Sequence, residues 1–158
     1  MIHFVSLTGQ VYINPDHTRS VQPYTEKPRF ADARNCELII PTFGSRSTVA
    51  LTNGMVFYTN KPRQEILSAI DNAKQHAHDV GTQPCAVSDH ILVDPMRITA
   101  LLPYIAQLRE YVEEHGYSVR SVSQAPLCLI VMDDGNTCLA VKDTPAELVD
   151  KLSQPRQA

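Results

Sequence analysis

Four residues combine charge with aromatic surface at related places in the chain: Arg19 with Tyr24, and Arg97 with Tyr104. A guanidinium donates paired hydrogen bonds to carboxylates and phosphates and stacks on aromatic faces. A tyrosine adds a flat apolar ring with a polar tip. Together they suit an anionic, partly aromatic ligand such as a nucleotide, and they equally suit the hot spot of a protein interface. The plainer alternative is a tyrosine at a core edge beside a solvated arginine.

Other chemistry-bearing residues make weaker sets. His76-Ala-His78 with Cys85 and His90 holds the right donors for zinc. On a regular helix residues two apart face different ways, so a histidine pair at a helix end, favourable to the helix dipole, is the preferred reading. Cys85 and His90 are the nearest thiol and imidazole that could form a nucleophile and base, but sequence proximity is poor evidence for such a pair. Asp133 and Asp134 could serve acid–base work, yet Gly135 beside them marks a turn. Thr8-Gly9 and Phe43-Gly44-Ser45 contain single glycines rather than a phosphate loop. The sequence therefore predicts no catalytic residues, no metal and no cofactor, and a protein that is not an enzyme.

The elements that must position Arg19, Tyr24, Arg97 and Tyr104 come from a repeat. Val11-Tyr-Ile-Asn-Pro-Asp-His-Thr-Arg-Ser-Val-Gln-Pro-Tyr24 returns in the second half as Ile91-Leu-Val-Asp-Pro-Met-Arg-Ile-Thr-Ala-Leu-Leu-Pro-Tyr104. Thr48-Val-Ala-Leu-Thr-Asn-Gly54 returns, at nearly the same offset, as Leu129-Ile-Val-Met-Asp-Asp-Gly135. Identities are few, but apolar and turn positions keep their order. A duplicated module would place a site in the groove between copies.

The first half reads as a hairpin of Ile2–Leu7 and Val11–Asn14, an Asn-Pro-Asp turn, and a strand Thr18–Tyr24. A loop over Thr25–Asn35 precedes strands Glu37–Phe43 and Arg46–Leu51. Asn53-Gly54 is a hairpin turn closed by Met55–Thr59. Asn60 can cap a helix carrying Ile66, Leu67, Ile70 and Ala73 on one face, running to about His76 or His78. Thr82–Ala86 reads as a linker, which puts Cys85 in a loop. The second half repeats the plan with strands His90–Asp94 and Arg97–Leu102. It then inserts a helix opened by Pro103 and running from Tyr104 to about His115, where Gly116 stops it. Strands Tyr117–Ser123, Leu127–Met132 and Asn136–Val141 follow. Asp143 or Thr144 caps a last helix that starts with Pro145.

The predicted fold class is α+β. It consists of two copies of an antiparallel β-meander, each followed by a C-terminal helix, related by a pseudo-two-fold, with one extra helix in the second copy. The modules are 1–80 and 84–153, with 154–158 a tail. Each copy is small for independent stability, so sharing a core is expected.

The runs Val11-Tyr-Ile-Asn14, Leu51-Thr-Asn-Gly54 through Tyr58, and Pro62-Arg-Gln-Glu-Ile-Leu-Ser-Ala-Ile70 resemble the small FlbD-like flagellar and phage accessory proteins. The resemblance covers about residues 11–24 and 47–71 and extends weakly to the second copy; the 25–43 insertion and the tandem arrangement depart from it. It implies a compact non-catalytic accessory protein, phage- or mobile-element-borne, and supplies no catalytic residues. The meanders are also similar to LytTR-type DNA-binding modules, without a basic loop series to match their DNA contacts.

Composition narrows the partners. With 14 Lys and Arg against 17 Asp and Glu, the net charge is −3, which argues against a general grip on nucleic acid. Arg outnumbers Lys nine to five, a bias that suits interfaces. Cys36, Cys85, Cys128 and Cys138 lack CxxC spacing, and no secretory signal or long apolar run is present. Free thiols in the cytoplasm are the expectation. The preferred function is a binding protein that blocks or regulates a partner protein. Sequestering an anionic small molecule is the alternative, and DNA-binding regulation ranks below it. Strand edges predict a homodimer.

Overall fold

The computed structural model describes residues 4–8, 11–24, 39, 45–75, 85–87 and 91–153. In chain order, β1 (Val5–Thr8) and β2 (Val11–Ile13) form a hairpin. A 3-10 turn at Pro15–His17 leads into β3 (Thr18–Pro23). Then come β4 (Ser47–Leu51), β5 (Val56–Thr59) and α1 (Arg63–Gln75). The second half opens with the hairpin β6 (Cys85–Val87) and β7 (Ile91–Val93), and a 3-10 turn at Pro95–Arg97 leads into β8 (Ile98–Pro103). There follow α2 (Ala106–Glu114), β9 (Ser118–Ser121), β10 (Cys128–Met132), β11 (Thr137–Val141) and α3 (Pro145–Ser153). The fold is α+β.

Local chemistry explains the matching turns. Asn14 and Asp94 each accept the amide two residues on, from Asp16 and Met96, at 3.0 Å. Each is followed by a proline whose fixed φ suits the first helical position. Asn53 and Asp134 do the same in the tight turns, accepting from Met55 and Asn136 at 3.0 Å. Gly54 (φ 91°) and Gly135 (φ 80°) supply the left-handed residue that each turn requires.

The strands form a six-stranded sheet ordered β1-β2-β8-β10-β11-β9, a three-stranded sheet β3-β4-β5, and the separate pair β6-β7. The N-terminal hairpin thus joins the sheet of the second half, with Tyr12 opposite Leu101 and Ile13 opposite Ala100. Alternation splits the large sheet into two buried faces. Ala100, Leu102, Leu129, Val131, Cys138 and Ala140 pack with residues of β3, β4, β5 and α1. Ile98, Leu101, Cys128, Ile130 and Val141 pack with Val93 of β7 and with Leu148 and Leu152 of α3. Covering both faces makes β8 and β10 read as continuous apolar runs.

Several expectations need correction. Pro103 ends a strand instead of opening a helix: the Tyr104 amide still donates to the Leu127 carbonyl (3.0 Å), which extends the sheet, and α2 starts at Ala106. Strand β9 pairs with β11 in parallel, so the second half is not a simple antiparallel meander. The α2 crossover makes this possible, because a helical connection can return the chain to the far edge of the sheet. Cys85 lies in β6 and not in a loop. The loop over 25–35, the tail 154–158 and most of strand Glu37–Phe43 lie outside the described residues, and Ile39 within that span is in a turn.

Hydrogen bonding recurs between the halves. In the first half Thr18 pairs with Leu51 and Pro23 with Ser47; at the matching places of the second, Ile98 pairs with Met132 and Pro103 with Cys128. Both ladders skip one residue, Arg19 in β3 and Thr99 in β8. Thr52 donates to the His17 carbonyl (2.9 Å) as Asp133 does to that of Arg97 (2.7 Å).

Candidate functional site

The four residues singled out from the sequence do not converge. Arg19 is the exposed bulge residue of β3, and Tyr24 follows that strand, its ring edge-on to Tyr58 with centroids 5.6 Å apart. Arg97 closes the 3-10 turn before β8, while Tyr104 follows β8. A six-residue strand separates them by about 20 Å, so they stand at opposite ends of one element. The register also aligns Arg19 with Thr99 and His17 with Arg97, so the two arginines, out of step already in the sequence repeat, do not hold equivalent places.

Tyr104 meets a charged side chain of α2. Its hydroxyl accepts from Nη1 of Arg109, whose guanidinium carbon lies 5.9 Å from the Tyr104 ring centre. On its other side Arg109 donates through Nε to Glu113 Oε1 at 2.9 Å. Glu113 first, then Tyr104, hold the Arg109 pKa above its ordinary value. The guanidinium has five N–H groups, and these contacts use two. The residue between Tyr104 and α2, Ile105, is extended, caps the helix without a side-chain hydrogen bond and is 39% exposed. Leu127, whose carbonyl accepts the Tyr104 amide, is 52% exposed.

The sequence could have yielded Arg109, five residues beyond Tyr104 on the helix, but a helical Arg–Glu pair at i,i+4 reads as ordinary surface. Leu127 was hidden because the strand residues that follow it, Cys128 to Val131, are all buried.

Other reactive groups are committed to structure. Burial pushes the Cys128 thiol far up and that of Cys138 to about 12, so neither supplies a thiolate. A ring nitrogen of His17 meets the Met96 carbonyl (3.0 Å), and one of His115 meets that of Tyr111 (2.9 Å). Asp133 and Asp134 are exposed turn residues. No group of three potential metal ligands occurs among the described residues. His76, His78 and His90 lie outside them, and of Cys85 only the backbone is described. No helix among the described residues is long and apolar enough to cross a membrane. A groove of about 410 Å³ between β1 and α1, with Phe4, Ser6 and Lys61 among its walls, includes none of the four residues.

Comparison of the chain with protein-family models, curated proteins and solved structures gave no match.

Proposed function

We propose that this is a non-catalytic binding protein that occupies a partner protein through the surface built on Tyr104 and Arg109. The observation that carries the reading is a pre-paired tyrosine and arginine; Ile105, next to Tyr104 in the chain, and Leu127, whose carbonyl accepts the Tyr104 amide, are both exposed. Interface hot spots are enriched in Tyr and Arg, and an anchor already held in place loses less side-chain freedom on binding. Clustered exposed apolar groups mark contact surfaces in folded proteins. The FlbD-like resemblance points the same way, toward a compact accessory protein, and the cysteines without CxxC spacing suit action in the cytoplasm. We also propose that the two halves are copies of one module; the recurring bulge and turn hydrogen bonds support this.

The test is quantitative capture from host lysate with the full chain and two variants, Arg109→Ala and the double change Ile105→Asp/Leu127→Asp. The wild-type chain should retain a specific protein that the variants recover at least tenfold less well, with their melting temperatures near wild type. Equal recovery by all three would remove the reading. A thermal shift with nucleotides that disappears in Arg109→Ala would move the assignment to small-molecule binding.

A further inference from the structure

We propose that β9 is the contact edge of a homodimer, in which β9 of a second copy adds antiparallel across a two-fold axis and continues the six-stranded sheet. The other long sheet edges carry side-chain caps. On β1, Lys61 Nζ donates to the Ser6 carbonyl (2.9 Å) and the Thr59 hydroxyl to that of Leu7 (2.7 Å). On β3, Arg63 Nε donates to the Val21 carbonyl (2.9 Å). On β5, the Tyr111 hydroxyl accepts from the Val56 amide (2.7 Å) and donates to its carbonyl (2.9 Å). Such caps occupy main-chain groups that would otherwise recruit another strand.

Strand β9 has no such protection among the described residues. Ser118 and Val122 donate to the Asn136 and Ala140 carbonyls at 2.8 and 2.9 Å, which turns their main-chain groups toward β11. Alternation then turns those of Val119 and Ser121 outward, and no described side chain meets them. Ser118, Arg120 and Ser121 are exposed, and the two serines leave room for a second backbone.

The sequence of β9 selects both the occupant and the register. With Val119 opposite its own copy, Ser118 faces Arg120 of the second chain on either side of the axis, and no like charges oppose. The next register would set Arg120 against Arg120, which is unfavourable for a directly opposed pair. A four-residue edge buries less than the surface typical of permanent dimers, so association is concentration-dependent. This dimer does not rest on the proposal made for the Tyr104 surface.

The experiment is sedimentation of the full chain from micromolar to millimolar concentration. The mass should rise toward twice the 17.6 kDa of the chain. Ser121→Pro, which deletes an outward amide and no bond to β11, should hold it at one chain, whereas Arg63→Ala should not. With Cys36 and Cys85 changed to Ser, an equimolar mixture of Ser118→Cys and Arg120→Cys chains should form a disulfide dimer on mild oxidation, and neither should do so alone. This second measurement decides the matter if Ser121→Pro fails to fold. A wild-type chain that stays monomeric throughout overturns the proposal, as does a dimer whose mixed cysteine variants do not cross-link.

Discussion

Strands β3 and β8 hold the same place in their halves, share a bulge and end in Pro-Tyr, yet one is a sheet edge and the other a sheet centre. Leu101 of β8 is fully buried and paired with Tyr12 of the N-terminal hairpin. Val21, its counterpart in β3, presents its carbonyl to Arg63 instead. The corresponding hairpin β6-β7 pairs with itself, and Leu92, which matches Tyr12, is 68% exposed. Part of the difference lies at one atom. The Asn14 side chain donates to the Ile98 carbonyl at 2.8 Å and ties the first hairpin to β8. Asp94, as a carboxylate, has only acceptors and cannot make that bond to the carbonyl of Thr18. The bulge residues follow the same divide: Arg19 reaches solvent, while the Thr99 hydroxyl is buried without a hydrogen-bond partner among the described residues. Similar local sequence can therefore fold to the same ladder and still meet opposite environments.

The comparison breaks most severely in the core of β8. Leu101→Ala should lower stability by about 2–5 kcal/mol by leaving a cavity, and Val21→Ala by clearly less, as read from urea midpoints. Equal losses would mean that β3 is as enclosed as β8. Asn14→Asp should follow, at about 1–3 kcal/mol, because it leaves the Ile98 carbonyl without its donor. The reverse change, Asp94→Asn, should be near neutral in the same titration. Tyr111→Phe removes both hydrogen bonds to Val56 at the β5 edge and should cost about 1–2 kcal/mol, with faster amide exchange at Val56.

The smallest effect concerns the tight turns. Burial alone would raise the Asp134 pKa. Hydrogen bonds from the Thr137 side chain and from the Asn136 and Thr137 amides, with the charge of Arg97, outweigh it and leave the pKa below the ordinary value. The resulting stabilisation is complete above the ordinary aspartate pKa and is lost as pH falls through the depressed one. Asn53 makes the equivalent turn bond without a charge. Asp134→Asn should accordingly lower neutral-pH stability slightly, toward the level the wild-type chain reaches in acid, and flatten part of the acid limb of a thermal melt series.

Within one half, much was legible. The Asn-Pro and Asp-Pro turns, the Asn53-Gly54 hairpin, and helices with Ile66, Ile70, Leu148 and Leu152 inward all follow from local geometry that their own residues impose. Thr144 does cap the last helix, its hydroxyl accepting from Glu147 at 3.2 Å. Strand β6, at the same offset from β1 as the other recurring elements, went unread because Thr82–Ala86 alone reads as a linker. The site was less legible. Tyr104 stood out by type and repeat position, but its partners Arg109 and Leu127 come from a helix face and from an adjacent strand.

What the sequence determined by itself is the menu of turns, strands and helices and their order along the chain, because these depend on backbone preferences over a few residues. Only the tertiary structure decided that the first hairpin joins the second sheet, that β9 runs parallel at its far edge, and that Arg97 and Tyr104 lie apart. Those outcomes are set by which buried faces and carbonyls find partners from distant residues, and no local pattern encodes that competition.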